Sequence, residues 1–197
     1  MLDKILNEYK VILASQSPRR RDIFDMLGIN YHTQSSNIAE PITGEDPALQ
    51  AMRNARNKAE AVFATGDGQS VIVSADTIVV LEGRILGKPE SAEQAYGYLS
   101  DLRANTHTVI TGICMMGRKG QKCGYEQTQV SFAPLTDEEI RDYIKTQEPA
   151  DKAGAYGIQG FGSQFITRIE GCYFNVMGFP VRRFYEITKD LIARGLL

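Results

Sequence analysis

Cysteine and histidine are scarce in this sequence, and the patterns by which they would staple a fold or bind zinc are absent. The chain has three cysteines and two histidines, with no Cys-x-x-Cys pair. An odd number of cysteines without that spacing argues against a disulfide framework and against a Cys/His zinc site. No Asn-x-Ser/Thr glycosylation site occurs either. We therefore expect a reduced chain in which the cysteines act as small hydrophobic residues.

Long hydrophobic runs are missing as well. The longest apolar stretch, VIVSADTIVVL (71–81), is interrupted by Asp76 and is too short to cross a bilayer. Asp3 and Glu8 interrupt the first ten residues, which rules out the apolar core of a signal peptide there. The sequence thus predicts a cytoplasmic protein without a membrane partner.

The chain also lacks the excess of positive charge that nucleic-acid binding requires. It carries 22 Lys and Arg against 24 Asp and Glu, a formal net charge of −2, so a broad nucleic-acid face is not expected. Hydrophobic residues make up 43% of the chain, which is ordinary for a globular protein. The length fits a single domain over 1–197, which could have two lobes.

What the sequence does contain is an alternation of strand-like and helix-like segments. The predicted strands are 10–14, 30–35, 70–75, a hairpin of 77–81 with 84–87, then 106–117, 123–133, 165–169 and 173–177. The predicted helices begin at Pro18 after Ser17, at Pro47 after Asp46, after capping boxes at Ser91 and Thr136, and at Val181. This order predicts an α/β fold in which helices pack on a mixed sheet.

The segment SQSPRRR (15–21) breaks a local rule by placing three arginines in the first turn of a helix. The helix macrodipole is already positive there, so the arginines repel the helix end and one another. A solvated run of charge is the plain alternative, but Arg20 precedes Ile23 and Phe24 by three and four residues and so lies toward the apolar stripe. A strand-to-helix turn with free N–H groups is an anion site, and a bound phosphate would relieve the repulsion.

Two further charged residues lie where apolar ones are expected. Lys58 falls on the apolar stripe of the second helix, where it either reaches water past its neighbours or serves a site. Asp76 ends the apolar strand 70–75, where a carboxylate is costly unless it is paired or binds a metal. Ligands of open α/β sheets bind beyond such strand ends, although an Asp there can also make turn hydrogen bonds.

A lysine and a flexible glycine segment complete the set of unusual features. Pro89 keeps Lys88 extended, which either aims its ammonium at a ligand or begins a loop. The four glycines from Gly154 to Gly162 lack the order of a dinucleotide fingerprint, and no P-loop, His-Glu-x-x-His or Gly-x-Ser-x-Gly motif occurs. His107 is expected to be structural. Together these residues predict a polyphosphate pocket with a metal ion or a general base, acting on a small molecule.

These same segments, in this order, resemble the Maf family of nucleoside triphosphate pyrophosphatases. The matching stretches are LASQSPRR (13–20), the lysine of ARNKA (55–59), ADT (75–77), GKP (87–89), EPADKAGAYGIQG (148–160) and VMGFP (176–180). They span nearly the whole chain, and it is their combination that is specific.

The resemblance implies an elongated Maf/ITPase-like α/β fold, with a long central mixed sheet and a cleft between two lobes. It implies a homodimer that hydrolyses a nucleoside triphosphate to the monophosphate and pyrophosphate with a divalent metal cation (Mg, Mn or Co). Carried over by motif, Asp76 is the catalytic proton acceptor and binds the metal with Glu40. The residues that would hold phosphates are Ser15, Arg19, Arg20, Lys58 and Lys88.

The resemblance also implies a subgroup. The dTTP/UTP type has Arg, Thr and Gln at three positions, which here are Arg19, Thr77 and Gln159, and a Gln amide can pair with the donor and acceptor edge of a pyrimidine. The expected substrates are therefore dTTP and UTP, with CTP and modified pyrimidine nucleotides as further candidates. The alternatives are a 7-methyl-GTP or broader-specificity pyrophosphatase, or a nucleotide-binding regulator of cell division with little turnover.

One position departs from the family pattern. Many members have two adjacent acidic residues after the second strand, whereas this chain has Ala39 followed by Glu40. Glu40 would then act without an acidic neighbour in metal binding.

Overall fold

The computed structural model describes all residues, 1–197, and contains seven helices, seven strands and three short 3₁₀ segments. The helices are α1 (Leu2–Leu6), α2 (Pro18–Met26), α3 (Pro47–Thr65), α4 (Ala92–Leu102), α5 (Asp137–Lys145), α6 (Tyr173–Val176) and α7 (Val181–Ala193). The strands are β1 (Val11–Leu13), β2 (His32–Thr33), β3 (Val71–Leu81), β4 (Arg84–Leu86), β5 (Thr106–Gly117), β6 (Gly120–Phe132) and β7 (Ile166–Glu170). The 3₁₀ segments are Glu148–Asp151, Ala153–Ala155 and Gly160–Phe165.

The strands form one mixed sheet in the order β2-β1-β3-β5-β6-β7, with β4 paired to β3. Strand β1 runs parallel to both β2 and β3, with Val11 opposite Val71. Strand β4 is antiparallel to β3, and β7 is antiparallel to β6. Parallel neighbours need a crossover connection, and α2 and α3 supply it. The predicted α/β fold with a mixed sheet is confirmed.

Local capping signals begin α3 and α5 where the sequence predicts. At α4 the predicted capping box is incomplete, because Ser91 Oγ accepts from Gln94 N while Gln94 Oε1 accepts from Glu90 N and not from Ser91. The carboxylate of Asp46 accepts from Ala48 N and Leu49 N, at 2.9 and 3.1 Å, and Pro47 occupies the first helical position of α3. A reciprocal capping box joins Thr136 and Glu139 at the start of α5. Each cap satisfies N–H groups that have no partner within the helix, so the start of a helix can be read from a few neighbouring residues.

The chain divides into two compact units, and the first comprises Met1–Asp76, Thr111–Glu126 and Gly178–Leu197. In this unit α3 packs on the sheet through small side chains, including Ala55 and Ala59. The approach is so close that a Cβ added at Gly112 of β5 would lie 2.2 Å from the Ala51 carbonyl carbon. Helix α3 is therefore held tightly against the strands, which fixes the positions of its polar side chains.

The second unit comprises Thr77–Ile110 and Gln127–Met177. Its core is formed by apolar residues of β3, α4, β5, β6 and α5; the larger members include Val79, Leu86, Leu99, Leu102, Phe132, Ile140, Tyr156 and Phe165. Gly154 has a φ of +69° and sits against Val79, to which an added Cβ would come within 3.0 Å. A glycine is required there by both the backbone angle and the space.

Two sequence-based expectations are wrong. Asp76 does not end a strand, because β3 is continuous from Val71 to Leu81 and passes through it. Residues 173–177 do not form a strand: they begin with the short helix α6, whose Asn175 is buried and donates to Val109 O and to Thr128 Oγ1.

None of the helices combines the length and the apolar character that a membrane span would need. The three cysteines are unpaired; Cys114 is buried, whereas Cys123 and Cys172 are half-buried.

Candidate active site

The turn between β1 and α2 folds Arg20 back onto the chain. Its Nε donates to the carbonyl of Gly178 at 2.8 Å, and its Nη1 donates to Ser15 Oγ at 3.1 Å. The same Ser15 oxygen accepts from the backbone N–H of Ser17, the N-cap of α2, at 3.2 Å. Two residues that the sequence singled out, Ser15 and Arg20, are thus in contact at the start of a helix, where anions bind favourably.

The pKa of Arg20 depends on two carboxylates near this turn. Burial lowers the pKa of the Arg20 guanidinium below its usual value, and Arg19 acts in the same direction. The charges of Asp76 and Glu40 oppose this and raise the pKa. Arg20 therefore lies close enough to both carboxylates to feel their field, and together these residues form a cluster of mixed charge within the first unit.

Lys58 joins the two carboxylates directly. Its ammonium is 2.7 Å from Asp76 Oδ1 and 2.7 Å from Glu40 Oε1, and it also donates to the carbonyl of Ala75 at 3.4 Å. An ammonium has three hydrogens to donate, and each has an acceptor here. Lys58 thus pairs with both carboxylates in this structure rather than pointing at solvent.

Burial makes this ion pair energetically important. The side chains of Lys58 and Asp76 are 7% and 5% exposed, whereas that of Glu40 is 38% exposed. A buried carboxylate is tolerated when it is paired and hydrogen-bonded. The pairing explains how β3 can continue through Asp76 without a break.

The other oxygen of Asp76 is bound by a residue that the sequence analysis did not identify. Asn54 Nδ2 donates to Asp76 Oδ2 at 3.0 Å, and Asn54 is only 3% exposed. The signal was present in the sequence, because Asn54 precedes Lys58 by one helical turn and shares its face of α3.

Asp76 and Glu40 have the donor chemistry of a site for a hard divalent cation. Mg²⁺ is commonly bound by one or two carboxylates, with water and substrate phosphates completing its shell. No group of three or more His, Cys, Asp or Glu side chains is arranged to hold a metal. The two carboxylates that share Lys58 therefore fit a cation that also contacts substrate, and not one enclosed by protein ligands alone.

The remaining predicted site residues lie in the second unit. Thr77 is half-buried in β3, whereas Lys88 and Gln159 are exposed in loops. The loop that carries Lys88 is tied to the glycine-rich segment, because Gly154 N donates to the carbonyl of Gly87 at 3.0 Å. The GKP and GIQG motifs are thus parts of one hydrogen-bonded region of this unit.

Glu148 organises the backbone on the C-terminal side of Gln159. Its Oε1 accepts from Tyr143 Oη at 2.9 Å and from Gly162 N at 3.1 Å, and its Oε2 accepts from Phe161 N at 2.8 Å. Gly160 has a φ of +77°, and an added Cβ would lie 2.5 Å from Glu148 Oε2. Glu148 was not predicted as a site residue, although an acidic residue shortly before a glycine-rich segment is a signal that could have found it.

On the N-terminal side the same loop is anchored by a buried pair of rings. Tyr156 Oη and His107 Nε2 are 2.7 Å apart, and both rings pack edge-on against Phe132. Burial lowers the pKa of His107 to about 4. This is the structural role predicted for His107, since a buried neutral imidazole suits a core position.

We expect the stability of the protein to fall in mild acid because of His107. The unfolded chain takes up a proton near pH 6.5, its ordinary pKa, while the folded His107 resists protonation down to about 4. The free energy of unfolding is therefore highest above pH 6.5 and decreases as the pH falls toward 4. Between pH 7 and pH 5 we expect this group to lower it by about 2 kcal/mol. Urea unfolding of the wild type and of His107→Gln at both pH values measures this, and equal losses in the two proteins would contradict it.

Comparisons with known proteins identify the family of this chain. The sequence matches the family described as Maf-like protein over residues 10–191. It is 46% identical over 183 residues to a dTTP/UTP pyrophosphatase of Carboxydothermus hydrogenoformans, covering 92% of this chain and 98% of that protein. It is 47% identical over 186 residues to a dTTP/UTP pyrophosphatase of Syntrophomonas wolfei, covering 93% of this chain and 96% of that protein.

A solved structure, the nucleoside-triphosphatase / dITP/XTP pyrophosphatase of Mycobacterium abscessus, aligns with a TM-score of 0.43 at 15% identity and 93% coverage of both chains. On the strength of the family match, which spans nearly the whole sequence, this chain belongs to the Maf-like protein family.

Proposed function

We propose that this protein is a nucleoside triphosphate pyrophosphatase that hydrolyses dTTP and UTP to the monophosphate and pyrophosphate. The observation that carries the proposal is the buried Asp76 carboxylate. It accepts hydrogen bonds from Lys58 and Asn54, and its charge raises the pKa of Arg20. Relatives that are 46% and 47% identical over nearly their whole length are named dTTP/UTP pyrophosphatases, which supports the choice of reaction and substrate.

In the proposed reaction one water molecule adds across the anhydride bond between the α and β phosphates. Asp76 orients this water and accepts its proton, since a carboxylate held in one place can act as a general base. Ser15, Arg19 and Arg20 bind phosphate oxygens at the start of α2, where N–H groups and cations favour an anion. Pyrophosphate leaves with the electrons of the broken bond.

Two lysines and a metal ion complete the proposed phosphate site. Lys88 is exposed and available to a phosphate, whereas Lys58 can bind one only by giving up one of its three acceptors. A divalent cation (Mg, Mn or Co) bound by Asp76 and Glu40 would neutralise charge on the phosphates and polarise them. A triphosphate brings about four negative charges, so several cations must converge on it.

Base selection is assigned to Arg19, Thr77 and Gln159 by the family resemblance. The exposed Gln159 amide offers a donor and an acceptor, which match the edge of a thymine or uracil ring. Glu148 and Tyr156 support this part of the chain on either side of Gln159. We also propose a cytoplasmic location, where such nucleotides occur, and a homodimer, on the same resemblance.

A panel of nucleoside triphosphates tests the proposed function. We expect pyrophosphate release from dTTP and UTP with Mg, Mn or Co, little turnover of ATP and 7-methyl-GTP, and no activity with chelator. Product analysis must show the monophosphate and not the diphosphate. Release of orthophosphate would indicate a different reaction, and preference for 7-methyl-GTP would indicate the other subgroup. Tight nucleotide binding with no turnover would favour a regulatory protein.

A further inference from the structure

We propose that Asn54 is a positioning residue for the reaction, and that it acts by holding the Asp76 carboxylate in one orientation. The inference rests on the proposed function, because it concerns how the proton acceptor is held. Asn54 binds Asp76 Oδ2 at 3.0 Å, while Lys58 binds Asp76 Oδ1 at 2.7 Å. The two donors are four residues apart on α3 and therefore share one face of the helix.

Two donors on one helix restrict the carboxylate more than one donor can. With Lys58 alone, the carboxylate could rotate about the Cβ–Cγ bond and keep its ion pair, because an ammonium is a compact charge without a preferred plane. A second hydrogen bond to the opposite oxygen removes that rotation. The lone pairs left on the two oxygens then point in fixed directions, as an acceptor of a proton from water requires.

The environment of Asn54 is difficult to explain by folding alone. The residue is 3% exposed, and its Oδ1 is buried without a hydrogen-bond partner. An unsatisfied buried acceptor destabilises the folded state, whereas a leucine of similar shape would fill the same space without that cost. The Asn54 side chain donates one hydrogen bond, to Asp76 Oδ2, so its burial serves that carboxylate.

The backbone around this contact is closely packed and hydrogen-bonded. Ser74, two residues before Asp76 on β3, donates from Oγ to the carbonyl of Ala55 at 2.6 Å. Gly112 allows β5 to approach α3 closely at Ala51. Helix α3 is thus hydrogen-bonded to β3 beside the Asn54–Asp76 contact and packed closely against β5, and a site held on regular elements keeps its geometry.

The test is Asn54→Leu, which keeps the size of the side chain and removes the donor. We expect kcat for dTTP to fall by about 10- to 100-fold, with KM within about twofold, because the phosphate-binding cations are unchanged. In the Asp76→Asn background, adding Asn54→Leu should change kcat by less than about twofold. Asn54→Ser, too short to reach Asp76, should reproduce the loss if the leucine variant folds poorly.

Gln50→Leu is the matched control. Gln50 lies one turn before Asn54 on α3, is fully buried, and accepts from Thr43 N at 3.0 Å with its Nε2 unpartnered. Removing this amide should leave kcat within about twofold of wild type. An equal loss of kcat in Gln50→Leu and Asn54→Leu would show a general effect on the helix and would overturn the proposal.

A second measurement does not depend on activity. Urea unfolding of wild type, Asn54→Leu, Asp76→Asn and the double variant gives the coupling between the two side chains. Each variant raises the equilibrium constant for unfolding by some factor. We expect the factor for the double variant to be at least about fivefold smaller than the product of the two single-variant factors. We expect no such coupling between Gln50 and Asp76. Multiplicative effects would overturn the contact.

The positioning role would be overturned by full kcat in Asn54→Leu, by a rise in KM alone, or by an undiminished kcat loss in the Asp76→Asn background. A wild type without turnover would refute the proposed function, and the unfolding experiment would still decide the contact.

Discussion

Asp76→Asn is expected to lower dTTP turnover by about 10²–10⁴-fold, the usual cost of losing a general base. The change keeps the size of the side chain and removes its charge and its ability to accept a proton. Substrate binding should survive or tighten, because a negative charge next to the triphosphate is gone while Arg20 and Lys58 remain. Single-turnover hydrolysis of dTTP, with binding of a non-hydrolysable analogue measured by calorimetry, separates the two effects.

Asp67→Asn is the control for this experiment. Asp67 forms an ion pair with Lys10 at 2.7 Å, and both side chains are well exposed. Asp67 accepts hydrogen bonds from Lys10, Gln69 and Ser70, none of which belongs to the cluster around Lys58. Its loss should leave turnover within about twofold, as expected for a surface pair. Wild-type turnover in Asp76→Asn would place the catalytic centre elsewhere in the chain.

Lys58→Met is expected to lower both stability and turnover. It leaves the buried Asp76 carboxylate without its ion-pair partner, and breaking a buried pair in this way typically costs about 3–5 kcal/mol. Glu40 contributes less to this loss because its side chain is 38% exposed. Turnover falls because Asp76 loses one of its two hydrogen-bond donors and the site loses a cation. Urea unfolding and steady-state hydrolysis of dTTP measure the two effects.

The double variant Lys58→Met with Asp76→Asn provides an internal check. It carries no unpaired buried charge at these two positions, so part of the stability lost in Lys58→Met should return while turnover stays low. Lys10→Met, at the exposed pair with Asp67, should cost less than about 1 kcal/mol. A Lys58→Met variant as stable as wild type would mean that the ion pair does not contribute to stability.

Local signals in the sequence determined where several elements begin. Pro18 and Pro47 open α2 and α3, the Thr136 capping box opens α5, and α7 occupies Val181–Ala193 as predicted. These predictions succeed because a cap or a proline acts within a few residues of itself. The unusual arginines at the start of α2 were found for the same reason, since their conflict with the helix dipole is also local.

The sequence by itself therefore determined the α/β class, the family resemblance and the identity of the charged residues. Only the tertiary structure decided their partners, because Lys58 meets Glu40 and Asp76 from positions 18 residues away in each direction. It also decided that Asp76 lies inside β3, since a strand can continue through a buried carboxylate when another element neutralises it. Asn54 and Glu148 gained their significance in the same way. For each the sequence holds only a positional signal, and what the residue binds depends on which helix or loop the fold brings against it.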